Sequence, residues 1–527
     1  MKTSRSIPFL AVLAVILSSC APHHRRDMER IDSLRVEAEG LVKAQSLMGF
    51  NAWAYGTEAN QDSLYKAHSS LFTTEHIALT KRALEDESDS VQVKRLRYFL
   101  RYLTTEFISK EVAALNDSVT NTEAVATLVI EGKRIPFRQI GSMTANEKSP
   151  VRRGMLYRSV DPILDSLNGV LREIEARTLS CTRTLGYSSY ADMVSQLRGY
   201  SLETFQATAR EVLDATDSLY HGLLQEMLKK YLHLEPATFH ASDRGPLFRN
   251  DSFDRYFPGP SMLGVLSSTY RGLGIDLSKM KNLTIDAEPR PAKNPRAVCY
   301  PIDVPADVRL SIKPIGGADD YAALFHEMGH ALHYAFTREQ SFEFRYAGEP
   351  TVTETYAFLS EYILTNQAWL RVRSMMPTAV LKDYVRFQAF YRLYYVRRYC
   401  AKFLYEVQLH AGAPGADSLY VALQSKAIGF VPISSDAKRY LTDVDAFYYS
   451  AGYLRAWFLE SQLNAQLSSR FGVNWFENPA AGEYLRSLWA LGDRLDGGEL
   501  VRSLGYRAIT PDAWLSEIGE MIRFSLK

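Results

Sequence analysis

Cysteine is scarce in this chain. The 527 residues hold 4, and Cys20, Cys181, Cys299 and Cys400 lie far apart with no Cys-x-x-Cys spacing. A disulfide framework is therefore excluded as the organiser of the fold, and so is a thiolate zinc site. An excess of one charge is lacking too. Against 61 Lys and Arg stand 60 Asp and Glu, which leaves no electrostatic footprint for nucleic acid and no polybasic membrane surface. Internal repeats and low-complexity tracts are absent, which removes solenoids and disordered arrays. Histidine is sparse as well, at 11 residues, so any clustering of histidines carries information.

What is present begins with a leader. Lys2 and Arg5 precede the apolar run Phe9 to Leu17, which is far short of the ~20 residues that span a bilayer. Small residues follow, the pattern of a secretory signal peptide. Its ending, Leu17-Ser18-Ser19-Cys20, resembles a bacterial lipobox. The resemblance implies cleavage before Cys20 and lipidation there. It also implies an exported bacterial lipoprotein, held by its acyl chains on the periplasmic side of a membrane, the outer membrane foremost, or at the cell surface. Removing residues 1–19 takes away two cations and no acid, so the mature chain stays near neutral.

A hydrophobic content of 46% and a charged content of 23% are those of a folded globular protein. Five segments are expected: a signal peptide at 1–19, a lipidated tether at 20–27, an N-terminal helical region at 28–235, an irregular connector at 236–300 and a catalytic region at 301–527. Helical periodicity runs through Ile31, Leu34, Ala38, Leu41 and Val42, and again through Ile163, Leu167, Val170, Leu171 and Ile174. Ser201 is placed to cap a further helix. The aromatic-rich run from Tyr384 to Tyr395 reads as a buried helix. Strand signals are few: a hairpin near Val125–Ile130, and Val308 to Lys313, where apolar and polar residues alternate. The fold class is mainly α, with a small β-sheet beside the segment described next.

After Gly316-Gly317 comes Asp319-Asp320-Tyr321-Ala322-Ala323-Leu324-Phe325-His326-Glu327-Met328-Gly329-His330-Ala331-Leu332-His333. Asp319 or Asp320 can cap a helix here. On that helix His326 and His330 share a face one turn apart and can bind one cation, while Glu327 is offset toward the reacting water. This is the His-Glu-x-x-His zinc signature. His333 returns to the same face and is assigned to the surroundings of the metal or to the substrate. A third ligand must come from elsewhere, with Glu343, Glu349, Glu354 and Glu361 as candidates. Glu354 is expected in the first turn of a helix that Thr351 or Thr353 begins, with Glu361 two turns further on the same face. A core-facing carboxylate there needs a partner, and zinc would be one.

The stretch His326 to His333, followed by Glu354-Thr355-Tyr356-Ala357-Phe358-Leu359-Ser360-Glu361, resembles the thimet-oligopeptidase and oligopeptidase F family of zinc peptidases. The similarity covers about residues 296–465 and, more weakly, the helical part before them. The resemblance implies one Zn2+ per chain held by His326, His330 and Glu354, with Glu361 behind them. It also implies two helical halves around a deep channel that admits short peptides and excludes folded proteins. Asp443 to Trp457 is similar to the segment that supplies the family's transition-state tyrosines, which selects Tyr453 first and Tyr449 second. One departure stands out: the family carries a histidine shortly before that tyrosine, whereas beyond His333 this chain has only His410.

Together these readings predict a metallopeptidase in which Glu327 takes a proton from water activated by zinc and returns it to the leaving amine. A phenol would stabilise the oxyanion, and an extended peptide substrate could add to the edge of Val308–Lys313. A dipeptidyl carboxypeptidase using Lys438, Arg439 or Arg455 to hold the terminal carboxylate remains an alternative. So does a lipid-anchored peptide-binding protein of little activity, although such a binder has no need of Glu327.

Overall fold

In the computed structural model, residues 10–58 and 60–527 are described, with side chains from residue 23 onward. The leader and the proposed lipidation at Cys20 lie outside the described side chains. The chain is mainly helical, with two small sheets. Among the described residues no helix is long and apolar enough to cross a membrane. Cys181, Cys299 and Cys400 are all free thiols.

Helix α1 (Leu10–Tyr55) buries Ile31, Leu34, Ala38 and Leu41, the face that the sequence period selects. α2 (Ser90–Val125) packs against α3 (Asp161–Thr184). Between them in sequence lies the hairpin β1 (Thr127–Ile130) and β2 (Lys133–Pro136), which covers a satellite core of Ile130, Ile140, Leu156, Val160 and Leu164. α4 (Leu202–Met227) starts where expected: the Ser201 hydroxyl accepts from the Thr204 amide at 3.1 Å.

The segment 236–300 is more ordered than its prolines suggest. It contains a helix, Met262–Gly272, that buries Met262, Leu266 and Tyr270. It also contains β3 (Leu283–Asp286) and the start of β4 (Val298–Asp303). These strands flank β5 (Asp307–Ser311), parallel on the β3 side and antiparallel on the β4 side. The alternation read from Val308 onward holds through Leu310 and then breaks, since Ser311 is buried along with Ile312. The expected role of that strand does not hold. β5 is central and paired on both sides, so Val308–Lys313 offers no edge to a peptide. The edges belong to β3 and β4, and Pro301 within β4 hid it as a strand.

The sheet is held between two helices. α1 covers one face, where Tyr300 meets Phe50 edge-on at 6.2 Å and Arg309 lies over the Phe50 ring. α5 (Ala318–Phe336) covers the other. Next come α6 (Pro350–Tyr362), α7 (Thr378–His410), α8 (Tyr449–Phe471) and α9 (Asp512–Leu526). α6 is packed between α5 and α8, and α7 runs against α4, α8 and α9. Three helices bearing candidate site residues are thereby layered side by side against one small sheet.

Candidate metal centre

α5 does not begin as expected. Its first residue is Ala318, and neither Asp319 nor Asp320 occupies the capping position. Gly317 does, at φ 98°, and a side chain there would collide with the Asp254 carboxylate, which accepts from the Ala318 amide at 3.3 Å. Asp320 instead reaches back from the first turn to the Ile315 and Gly316 amides, both at 2.9 Å. The distant Asp254 could not be paired with this turn from spacing alone.

α5 and α6 cross at Gly329. A β-carbon at that position would lie 2.4 Å from the Tyr356 carbonyl oxygen and 2.6 Å from the Ala357 α-carbon. The glycine inside the His-Glu-x-x-His motif thus lets the two helices approach to backbone contact, which brings Glu354 across to the histidines. Pro350 opens α6 at a position where its missing N–H costs nothing, so Glu354 falls in the second turn rather than the first.

At the crossing His326, His330 and Glu354 converge, with their potential ligand atoms within 4.8 Å of one another. Glu354 Oε2 lies 3.4 Å from His326 Nε2 and 3.6 Å from His330 Nε2. The other nitrogen of each ring is held from behind: His326 Nδ1 by Glu361 Oε2 at 2.9 Å, and His330 Nδ1 by the Thr353 hydroxyl at 2.7 Å. Such contacts fix ring orientation and leave Nε2 facing the carboxylate. Glu354 Oε1 accepts from the Tyr449 hydroxyl at 2.7 Å, whereas Oε2 is buried without a hydrogen-bond partner. A buried carboxylate oxygen left without a donor and aimed at two imidazole nitrogens fits a divalent cation, and the donor set of two imidazoles and one carboxylate suits zinc.

The charge balance leads to the same fit. Burial alone would lower the His326 pKa, but the Glu354 and Glu361 carboxylates outweigh it and raise it well above the ordinary value. Burial pushes His330 down to about 4. Glu354 is held below its usual range because the two histidines and Tyr449 outweigh its desolvation.

Glu327 lies beside the cluster. Its Oε2 accepts from the Cys299 amide on the free edge of β4 at 2.8 Å. Burial, reinforced by Glu354 and opposed by His326, pushes its carboxyl up to about 7. Tyr449 and Tyr453 pack one turn apart on α8, with ring centroids 4.9 Å apart. Tyr453 is partly exposed and rests on Phe358, which in turn covers the His326 ring.

Several sequence-derived assignments are resolved by position. His333 is 1% exposed and packs between Tyr334 and Tyr356, with the Gly492 backbone beside it. It belongs to the core below the crossing and faces neither ligand nor substrate, because α6 has already crossed the helix before that turn. Glu343 is buried in ion pairs with Arg35 and Arg95, and Glu349 is bonded to Thr351. Neither is available as a ligand. Lys438 pairs with Asp165, and Arg455 lies over the Tyr200 ring. Arg439 bonds the Tyr157 and Ser435 carbonyls while lining a large cavity. Sequence reasoning missed Thr353, which sits directly before Glu354, and the Cys299 amide, which no side-chain pattern can reveal.

No model of a known protein family matches the chain, and no curated protein matches it.

Proposed function

We propose that this protein is a zinc-dependent peptidase acting on short peptides, a member of the thimet-oligopeptidase and oligopeptidase F family exported as a lipoprotein anchored at Cys20. The reading rests above all on one observation: the orphaned Glu354 Oε2 faces both free histidine nitrogens, with Glu327 beside them on the sheet edge.

A zinc ion held by His326, His330 and Glu354 would supply a Lewis acid that acidifies water and polarises a carbonyl. Glu327 is the proton carrier, taking a proton from water and delivering it to the leaving amine. The Cys299 amide keeps one oxygen of Glu327 in place, leaving the other for that exchange. Tyr449 orients Glu354. Tyr453, whose hydroxyl has no protein hydrogen bond among the described residues, is the donor for the developing oxyanion. The β4 edge, already contributing the Cys299 amide, is where an extended peptide would pair. The reading implies two helical halves flanking a substrate channel.

The test is a matched pair of assays on the native chain and Glu327→Gln: bound zinc, and mass spectrometry of peptide products with and without chelator. Equal zinc with hydrolysis only by the native chain is expected. Hydrolysis by the metal-loaded variant would remove Glu327 as the base, and hydrolysis that survives chelation would remove the metal.

A further inference from the structure

A cavity of about 800 Å³ lies between the segment 137–249 and α7. The aromatic run of α7 reads from sequence as core, yet Tyr391, Tyr394 and Tyr395 line this space. The cations in its wall differ in one respect. Arg398 is paired with Asp443, Arg249 with Asp254, and Arg439 is spent on backbone carbonyls, while Arg138 and Arg296 form no ion pair among the described residues but are exposed.

Arg244 is half-buried, unlike Arg138 and Arg296. Among the described residues it forms no ion pair. Its Nε donates to the Ala241 carbonyl at 3.0 Å, and its guanidinium lies 5.6 Å from the Phe430 ring centre. These contacts fix its direction while leaving both terminal nitrogens without a protein partner. Across the cavity the Tyr394 ring is buried, and its hydroxyl has no protein hydrogen bond among the described residues.

None of His326, Glu327, His330 and Glu354 lines this cavity, but a neighbouring space connects it with the residue behind His326. Asp319, in the first turn of α5, and Tyr391 line both the cavity and that smaller space, which ends at Glu361. Glu361 is the residue that holds His326.

We infer that this cavity binds a carboxylate of the peptide substrate, gripped by the free guanidinium edge of Arg244 with the Tyr394 hydroxyl as a second donor. A planar guanidinium with two open N–H groups matches a carboxylate bidentately. The carboxylate could be the peptide's own C-terminus or an Asp or Glu side chain. The inference rests on the peptidase reading for the nature of its ligand, and the following test separates the two.

The assay is fluorescence anisotropy with zinc-loaded, full-length Glu327→Gln protein, which cannot consume the probe. Three dye-labelled hexapeptides are compared: one with a free C-terminus, one amidated, and one amidated with Gln replaced by Glu. At least one carboxylate peptide should bind about tenfold or more tightly than the neutral one, and which of the two does so identifies the source of the charge. Adding Arg244→Gln should erase that difference without changing affinity for the neutral peptide, and Arg244→Lys should restore part of it. Equal binding of all three peptides overturns the inference and needs no Arg244 variant to do so. A carboxylate preference that survives Arg244→Gln overturns the assignment to Arg244. Should no peptide bind while zinc is present, the peptidase reading falls together with the inference. Hydrolysis of all three at equal rates by the native chain would remove only the inference.

Discussion

Gly329→Ala should damage the metal centre through a residue that touches no metal. The added methyl would meet Tyr356 oxygen at 2.4 Å and Ala357 α-carbon at 2.6 Å. Both are backbone atoms, so no side chain can rotate away. Restoring ordinary contact requires α5 and α6 to part by about 1 Å, whereas ligand distances in a zinc site tolerate only about 0.2 Å. Overpacking of this kind costs about 1–3 kcal/mol, offset by up to ~1 kcal/mol of better helix propensity. Global stability without metal should therefore fall by only about 1–2 kcal/mol. Zinc affinity should fall at least ~100-fold, about 2.7 kcal/mol, because Glu354 rides on the displaced helix. Competition titration against a chelating dye reads the affinity, and thermal unfolding of the metal-free protein reads the stability. Gly452→Ala on α8 is the control. Its β-carbon would meet Pro350 at 3.6 Å, an ordinary contact, and neither quantity should worsen. Zinc binding by Gly329→Ala as tight as in the native chain would refute the view that backbone contact at this crossing sets the site.

Glu354→Ala should remove most of the bound zinc, and unchanged metal content would pass the ligand role to Glu361. Glu361→Ala and Thr353→Val should each weaken zinc by about 10- to 100-fold, read by the same titration, since each frees one histidine ring to turn. Tyr453→Phe should lower kcat with little change in metal affinity, whereas Tyr449→Phe should weaken zinc by releasing Glu354; the reverse pattern would exchange their roles. Away from the metal, burial pushes Glu406 on α7 up to about 8 from 4.5. The folded chain then keeps a proton that the unfolded chain has released. This stabilising contribution is therefore complete below about pH 4.5 and is lost as pH rises toward 8. Chemical denaturation across that window should show the slope in the native chain and a flatter one in Glu406→Gln.

The parts of this site that the sequence disclosed are those that depend on helical period. His326, Glu327 and His330 follow from four-residue spacing on one helix, and the seven residues from Glu354 to Glu361 put both carboxylates on one face of the next. Spacing failed where a second element decides the outcome. His333 has the same angular position as His326, yet α6 crosses between them, so one ring faces the other ligands and the other faces Tyr356. β5 shows its alternation because both of its faces meet defined surroundings, but alternation says nothing about which strand is the edge; that depends on β3 and β4, each set by partners outside its own sequence. The same limit applies to charge. From sequence, Lys438, Arg439 and Arg455 were three equivalent cations near the tyrosine segment, and Arg244 stood in an apparent connector. Folding saturates Lys438 and Arg439 with partners, lays Arg455 against an aromatic ring, and leaves Arg244 with two open nitrogens in a cavity. Which charge remains available is a property of packing, because an ion pair requires two side chains to meet and only the fold determines which pairs do.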